Sequence, residues 1–275
     1  MTNQTKLITI VVPVYKTELT VSEKASLLQL FRTLSNYPIC LFTFKELDLT
    51  AYKAALHEYK YTISYFSKHF FLSITSYNKL LCHPAFYKRF INFKYLLLYQ
   101  LDAWVFRDEL TDWCKAGFDY IGAPWFSGYN NATAASEFLG VGNGGFSLRN
   151  IKSHIKALQT FSYIIAPGYL LWTFFRSEKS AASFKNLLLA LTIQNNTYYL
   201  FNNYNNNEDI FWGTIAGKKF DWFKLPDMET AAMFSMETNA SLLYKQAGNK
   251  LPFGCHAWEK YEPEFWMEHI PVNKT

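Results

Sequence analysis

Residues 95–106 read YLLLYQLDAWVF, and this stretch decides the fold expected for the chain. A mostly apolar run fills 95–101, and the carboxylate Asp102 follows it before the chain becomes apolar again with Trp104. Such a run predicts a strand at 95–101 that is buried on both faces, as the central strands of parallel sheets are. Asp102 would then lie at the carboxyl end of that strand.

The segments before this strand alternate between strand and helix patterns. A β-branched run predicts a strand at 7–14, and Thr20-x-x-Glu23 is a capping box that predicts the start of a helix. A second strand is predicted at 39–44, so strand, helix and strand form a βαβ unit with a right-handed crossover. The same patterns predict helices at 51–59, at 76–90 with a break or kink at Pro84, and at 107–115, and a strand at 118–121. The first half therefore predicts an α/β fold with a mostly parallel central sheet flanked by helices.

The second half of the sequence is less regular. Asn150 can cap a helix at 151–161, and another helix is predicted at 178–192. The Asn- and Tyr-rich stretch 193–207 is interpreted as a mobile loop, with a lid as the alternative. No linker divides the chain, so we expect a single domain over residues 1–275.

The composition excludes several classes of protein. Of the 275 residues, 50% are hydrophobic and 18% are charged, which argues against disorder over most of the length. The net charge of +5 comes without a dense Lys/Arg run, so no nucleic-acid partner is expected. The four cysteines are far apart and are expected to be buried and reduced. The N-terminus has no signal-peptide pattern and no apolar stretch is long enough to span a bilayer, so we expect a cytoplasmic protein.

Four polar features are candidates for a functional site. A buried lone carboxylate such as Asp102 is costly unless it is paired or bound to a ligand, although it could cap a turn or pair with Arg107. The glycine-rich segment EFLGVGNGGFSLR (137–149) allows close approach of a ligand to the backbone, although it could also be a tight hairpin. In NNEDIFWG (206–213), one carboxylate can cap a helix and leave the other free as a base. In PFGCHAW (252–258), His256 lies in a predicted loop and has either a catalytic or a structural role.

Together, these segments resemble GT-A-type nucleotide-sugar glycosyltransferases. The resemblance extends to a bacterial family catalogued as a domain of unknown function, and it spans roughly residues 8–258. It rests on the ordered set LYQLDAWVFRDELTDWC, DYIGAPW, GNGGFSLR, NEDIFW and PFGCHAW. The resemblance implies a GT-A-like fold in which about 1–125 bind the nucleotide and about 126–275 bind the acceptor.

The resemblance also implies a metal site at Asp102. In that fold, an aspartate after the central strand begins a D-x-D motif that holds Mn²⁺ or Mg²⁺ against the donor diphosphate. Here the second motif position is Trp104, which departs from the two-carboxylate pattern. Two alternatives stay open: Asp102 binds the metal together with His256, or the enzyme works without metal and Arg149 meets the diphosphate charge.

The remaining roles follow from the same resemblance. Pro13, Val14 and Tyr15 would line the nucleobase pocket, with Tyr15 stacking on the base. Asn143, Gly144 and Gly145 would face the donor sugar or the acceptor, and Trp125 would provide a stacking platform or be part of the core. Asp209 would deprotonate the acceptor hydroxyl in an inverting displacement, while Glu208 would cap the helix or bind sugar, and the two roles could be exchanged.

The function expected from the sequence is sugar transfer from a nucleotide-diphosphate donor, with UDP-sugars favoured, to a glycan or lipid-linked acceptor in bacterial surface-polysaccharide assembly. The aromatic stretch 163–175 motivates the further hypothesis of a peripheral contact with the inner face of the cell membrane. A non-catalytic carbohydrate- or nucleotide-binding module is the alternative. A nucleotidyltransferase is disfavoured, since VVPVYKTEL (11–19) has no glycine-rich loop after the first strand.

Overall fold

Within the described residues, eleven strands build the sheets, and six of them form one central sheet. The computed structural model describes residues 5–177 and 180–271. The strands are β1 (Lys6–Pro13), β2 (Ile39–Thr43), β3 (Thr62–Tyr65), β4 (Phe93–Tyr99), β5 (Ala103–Val105), β6 (Tyr120–Ile121), β7 (Pro124–Phe126), β8 (Phe138–Val141), β9 (Phe146–Asn150), β10 (Ser235–Met236) and β11 (Gly254–His256). The central sheet has the order β3-β2-β1-β4-β9-β6, and only β9 runs antiparallel to its neighbours. The predicted α/β fold with a mostly parallel sheet is confirmed.

Helices pack on both faces of this sheet, against the smaller sheets and against one another. They are α1 (Val21–Leu34), α2 (Thr50–Ala55), α3 (Ile74–Leu81), α4 (Pro84–Arg89), α5 (Leu110–Ala116), α6 (Ile151–Leu158), α7 (Pro167–Arg176), α8 (Ala181–Leu189), α9 (Leu200–Asn203), α10 (Glu208–Ile210), α11 (Ala216–Lys219), α12 (Met228–Phe234), α13 (Ala240–Gln246) and α14 (Pro263–His269). Alternate residues of each central strand point to opposite faces, so Ile10 and Leu97 pack with α1, whereas Val11 and Leu96 pack with α4 and α6. Within the described ranges, no helix is both long and apolar enough to cross a bilayer.

Two smaller sheets lie beside the central sheet. Strand β5 pairs antiparallel with β11, which in turn pairs parallel with β10. Strands β7 and β8 form a two-stranded antiparallel ribbon. Because β5 follows β4 directly, the small sheet begins where the central strand ends, and it brings distant segments to that end.

Several local signals in the sequence have the expected structural result. Thr20 and Glu23 form the predicted capping box, in which each side chain accepts a hydrogen bond from the other residue's backbone N–H. Pro84 divides the predicted helix 76–90 into α3 and α4. Gly117 ends α5 with a φ of +79°, a left-handed conformation that favours glycine. The four cysteines are free and buried, as expected.

Other expectations about local structure are wrong. Helix α7 was not predicted; it begins at Pro167, and a proline in the first turn of a helix loses no hydrogen bond. The stretch 193–207 is not an irregular loop, since it contains helical turns at Thr197–Tyr199 and at α9. Strand β3 was not predicted. The helix expected at 178–192 is shorter, with α8 followed by a π-helical turn, and its first two residues lie outside the described residues.

A buried histidine in α6 makes the stability of the fold depend on pH. The ring of His154 is fully buried, and its Nδ1 lies 2.8 Å from the carbonyl oxygen of Asn150. Aromatic rings of Tyr87 and Trp212 lie at 4.7 and 4.2 Å from it, and Nε2 has no hydrogen-bond partner in the described structure. Burial, assisted by the charge of Arg149, holds the pKa of His154 well below its ordinary value. The folded protein therefore keeps this ring neutral.

We expect His154 to reduce stability as the solution is acidified. Above about pH 6.5 the ring is neutral in both the folded and unfolded chain. Below it, only the unfolded chain takes up the proton, and the free energy of unfolding falls by about 1.4 kcal/mol per pH unit until the lowered pKa is reached. Urea unfolding of the wild type and of His154→Phe between pH 5 and 8 measures this difference. Equal pH slopes for the two proteins would contradict it.

Candidate functional site

The candidate site lies where the central strand β4 ends and the small sheet begins. The backbone N–H of Gln100 donates to the carbonyl oxygen of Gly145 at 2.7 Å, so the β4–β5 turn is tied to the turn before β9. Asp102 follows in the β4–β5 turn, and its carboxylate is 45% exposed. This location is the one expected for ligand sites in open α/β sheets.

His256 meets Asp102 because of the register of the small sheet. In that sheet His256 pairs with Ala103, the residue after Asp102, and Cys255 pairs with Met236, the residue before Glu237. As a result, the imidazole Nε2 lies 3.1 Å from Asp102 Oδ1, and Nδ1 lies 3.0 Å from Glu237 Oε1. The sequence-predicted pair Asp102 and His256 is therefore brought into direct contact.

The carboxylates of Asp102 and Glu237 keep the His256 imidazole protonated. Burial acts to lower the pKa of His256, but Asp102 and Glu237 outweigh it and raise the pKa to about 10. For Asp102 burial acts in the raising direction, and the neighbouring imidazolium lowers its pKa below the ordinary value. The protonated ring therefore donates to a carboxylate on each side at neutral pH.

The residue that accompanies Asp102 in the site is Gln100 and not Trp104. Trp104 is buried in β5 and packs edge-on against Trp258. The amide oxygen of Gln100 instead lies 3.3 Å from His256 Nε2. The sequence pattern of the site is thus Gln-x-Asp followed by a distant histidine.

These side chains fit a divalent cation that takes its other ligands from a substrate, once the cation has displaced the proton of His256 Nε2, because only the unprotonated nitrogen binds a metal. Two ligands at right angles around a cation with bonds of about 2.1 Å are about 3 Å apart, and Asp102 Oδ1 and His256 Nε2 are separated by 3.1 Å. Carboxylate and amide oxygens with imidazole nitrogen suit manganese. In the described part of the chain, no group of three or more His, Cys, Asp or Glu side chains is arranged to hold a metal.

The glycine turn between β8 and β9 connects this cluster to the second carboxylate pair. Asn143 has a φ of +70°, is buried, and uses its side chain within the protein, since its Nδ2 donates to Ser235 Oγ and its Oδ1 accepts from the Phe146 N–H. A Cβ at Gly145 would lie 2.0 Å from His256 Nε2, and one at Gly144 would lie 2.6 Å from Glu208 Oε1. Both glycines leave their backbone open to the two clusters, whereas Asn143 fixes the turn.

Asp209 is the accessible member of the Glu-Asp pair. Its Oδ2 accepts from the Gly144 N–H at 2.9 Å, and its Oδ1 accepts from the Ile210 N–H at 2.9 Å. Burial raises its pKa, the Gly144 N–H opposes this, and the negative charge of Glu237 adds to it. A half-buried carboxylate with a raised pKa is suited to accept a proton.

Glu208 and Arg149 form a buried ion pair. The guanidinium contacts Glu208 at 2.8 and 3.1 Å, and the two side chains are 2% and 0% exposed. Burial raises the pKa of Glu208 to about 7, and the charge of Arg149 opposes this effect. Because the contact is bidentate, we assign Glu208 as a carboxylate paired with the guanidinium. Arg149 also donates to the Gly144 carbonyl oxygen at 3.2 Å. Its guanidinium is therefore enclosed by protein, and the N-terminal side-chain cap expected of Glu208 is not formed.

A close glycine contact explains why the helical segment that carries Glu208 and Asp209 lies against the glycine turn between β8 and β9. Residues 208–219 form one helical segment, α10 and α11 joined by a π-helical turn at Phe211–Ile215. A Cβ at Gly213 would lie 1.5 Å from the carbonyl oxygen of Val141, so only glycine lets the segment touch β8 this closely. That contact places Glu208 and Asp209 beside Gly144.

The remaining sequence-predicted residues lie around this centre. Pro13 and Val14 are buried at the end of β1, and Tyr15 is 56% exposed. Trp125 is half-buried in β7, and its indole Nε1 donates to Glu237 Oε2 at 3.3 Å. Trp125 therefore supports the carboxylate that holds His256.

Sequence reasoning missed Gln100, Glu237 and the pairing of Arg149 with Glu208. Gln100 had a usable signal, because it is a polar residue two positions before Asp102 at the end of an apolar strand. Glu237 follows FSM in the sequence and has no such signal. Arg149 and Glu208 are 59 residues apart, and only the fold brings them together.

Comparisons with known proteins give a family and several fold relatives. A family model described as "Protein of unknown function (DUF5672)" matches residues 60–256. A search of curated proteins found no match. Mouse xyloside xylosyltransferase 1 is 14% identical with a TM-score of 0.47, and the alignment covers 91% of this chain and 97% of that one.

Two further solved structures are similar in overall arrangement. A glycosyltransferase involved in glycosylation of the major capsid of PBCV-1 is 9% identical with a TM-score of 0.46, covering 97% of this chain and 99% of that one. Core-mannan synthase A from Aspergillus fumigatus, in its Mn/GDP form, is 15% identical with a TM-score of 0.42, covering 76% and 70%. The sheet order of the protein itself confirms the α/β class with a mostly parallel sheet between helices.

Proposed function

The chain belongs to the DUF5672 family, and from this premise we propose that it is a glycosyltransferase. It would move a sugar from a nucleotide-diphosphate donor, with UDP favoured, to a glycan or lipid-linked acceptor. The observation that carries the proposal is the glycine turn, which has Asp102 and His256 on one side and Asp209 on the other. The Asp102 and His256 side suits a diphosphate with a bound cation, and Asp209 on the other side suits the role of proton acceptor.

The donor is proposed to bind at the carboxyl ends of β1 and β4. Tyr15 offers an exposed ring for stacking on the base, beside the buried Pro13 and Val14. Asp102 and His256 would hold Mn²⁺ or Mg²⁺, with Gln100 beside them. Such a cation neutralises charge on the leaving diphosphate. Arg149 is not proposed as a diphosphate contact, because its guanidinium is buried against Glu208.

Asp209 is proposed to act as the base in an inverting displacement. The acceptor hydroxyl gives its proton to the Asp209 carboxylate as its oxygen bonds to the anomeric carbon. The bond from that carbon to the diphosphate oxygen breaks, and the nucleoside diphosphate leaves with the electron pair. Arg149 donates to the carbonyl oxygen of Gly144, and the N–H of Gly144 donates to Asp209. The Arg149–Glu208 ion pair therefore positions the base through Gly144.

Bacterial surface-polysaccharide assembly on the cytoplasmic side of the membrane is the proposed setting. Trp125 is proposed to line the acceptor side together with Gly144 and Gly145. Because Trp125 donates to Glu237, the acceptor side and His256 share one support.

Calorimetric titration with UDP, GDP, CMP and dTDP tests the donor site. We expect one nucleotide to bind in the presence of Mn²⁺ and to lose more than about tenfold in affinity with EDTA or in Asp102→Ala, since even outer partners of metal ligands cost that much. Asp221→Ala, which removes an exposed carboxylate, is the matched control and should bind as the wild type does. If no nucleotide binds, the proposal fails in favour of the carbohydrate-binding module. If one nucleotide binds and neither EDTA nor Asp102→Ala weakens it, the proposed donor site does not use a cation.

A further inference from the structure

Residues 161–177 and 180–199 form a helical hairpin whose surface is unusually apolar for an exposed segment; we name these residues the aromatic hairpin. It contains α7, α8 and the π-helical turn that follows, and its two ends are joined by hydrogen bonds between Ser162 and Thr197. No described side chain between positions 161 and 194 is buried. The hairpin is thus fixed at its base and exposed along its helices.

Apolar side chains are exposed on both helices of the hairpin. Ten of the twenty exposed large hydrophobic residues in the described structure belong to it: Phe161, Ile165, Tyr169, Leu171, Trp172, Phe175, Phe184, Leu188, Tyr198 and Tyr199. A large exposed apolar patch marks an interaction site. The hairpin therefore needs a partner with an apolar interior.

A cleft lined by lysines lies beside the base of the hairpin; we name it the lysine cleft. A cavity of about 410 Å³ is bordered by Lys94, Lys152, Lys156 and Lys224. A second cavity of about 300 Å³ shares Lys152 and Lys156. None of the four lysines makes an ion pair with a described residue.

The acidic residue in this cleft does not compensate the lysines. Asp119 is buried, and its oxygens accept hydrogen bonds from Ser153 Oγ at 2.5 Å and from the Lys224 N–H at 2.9 Å. Four lysines thus face one engaged carboxylate, in a chain whose net charge is only +5. The lysines give the cleft a local positive charge that suits a surface of phosphate groups.

The lysine cleft and the aromatic hairpin are continuous. The second cavity extends along α6 to Thr160, the residue before Phe161, and the Thr160 carbonyl oxygen accepts a hydrogen bond from Thr197 Oγ1. Ile91 and Ile155 line the same cavity. Basic and apolar surfaces therefore meet at one junction, where the hairpin leaves the fold.

We propose that the lysine cleft and the aromatic hairpin together form a docking surface for a bilayer that contains anionic lipids. Lysines would meet the phosphate headgroups, and Tyr and Trp rings would enter the interface, where their apolar bodies and polar tips are both accommodated. Helix α7 has 10 residues and a length of about 15 Å, half the hydrocarbon thickness, which fits a segment lying in the interface. Lysine is depleted at protein–protein interfaces, which favours a lipid surface over a protein partner.

Vesicle flotation of the full chain tests this surface without reference to catalysis. We expect the wild type to float with vesicles of phosphatidylcholine and phosphatidylglycerol, to float poorly with phosphatidylcholine alone, and to be released by high salt. Lys152→Glu with Lys156→Glu should lower the partition coefficient by more than about tenfold, since each lysine near an anionic surface contributes about fivefold. Trp172→Ser with Phe184→Ser should lower it similarly. Lys53→Glu with Lys250→Glu has the same charge change on other exposed lysines and should float as the wild type does.

Circular dichroism melting shows that each variant is folded before its flotation is interpreted, and sedimentation velocity gives its oligomeric state. The proposal is overturned if the wild type stays in the soluble fraction with anionic vesicles, or if both double variants float as the wild type does. It is also overturned if the hairpin variant only abolishes a dimer, because the occupant of the surface is then a second copy of the chain. Loss of binding in the hairpin variant alone would remove the lysine cleft from the docking surface.

Discussion

Replacing Asp209 by asparagine is expected to lower the rate of sugar transfer by about 10²–10⁴-fold, the usual contribution of a positioned base. An amide cannot take the proton of the acceptor hydroxyl, whereas its oxygen can still accept from the Gly144 N–H that now lies 2.9 Å from Asp209. Donor binding should change little, because Asp102 and His256 lie on the other side of the glycine turn. Product formation with saturating donor, next to calorimetric donor binding, separates the two effects.

The pH dependence of the same reaction provides a second measurement. Burial and Glu237 raise the pKa of Asp209, so the wild-type rate should decrease as the pH falls through that raised value and the carboxylate becomes protonated. Asp221→Asn is the control, since Asp221 is exposed. Full activity in Asp209→Asn would show that another group takes the proton, and the inverting mechanism proposed for this site would fail with it.

Replacing Arg149 by methionine is expected to destabilise the fold by about 3–5 kcal/mol, because it leaves the buried carboxylate of Glu208 without its partner. The guanidinium makes both contacts to Glu208 and also donates to Tyr87 Oη and to the Gly144 carbonyl oxygen. No water can replace these contacts readily, since Arg149 and Glu208 are 0% and 2% exposed. Urea unfolding at pH 7 measures the free-energy difference.

The double variant Arg149→Met with Glu208→Leu distinguishes the ion pair from simple packing. With both charges removed, no charge is left buried, and we expect most of the lost stability to return. A cost below about 1 kcal/mol for Arg149→Met would contradict the pairing, as would a double variant that is less stable than the single one. The folded double variant should still transfer sugar only slowly, because the Gly144 carbonyl has lost its guanidinium donor and retains the Ser147 hydroxyl.

Much of the fold could be predicted because its signals are local. The apolar runs that became β1 and β4, the Thr20–Glu23 capping box and the break at Pro84 each depend on residues a few positions apart. A local signal was also overlooked. Helix α7 was not predicted, although proline is compatible with the first turn of a helix, and α7 begins at Pro167.

Asp102, His256, Asp209 and the glycine turn were singled out by residue type and by their position at the ends of elements, so the sequence by itself determined which residues are candidates and which end of the sheet they occupy. Only the tertiary structure decided their partners. The register of β5 with β11 and of β11 with β10 placed His256 between Asp102 and Glu237, and the docking of α10 paired Glu208 with Arg149. These contacts join residues far apart in the chain. Such pairings depend on how strands align and helices pack, and no local pattern of side chains encodes that alignment.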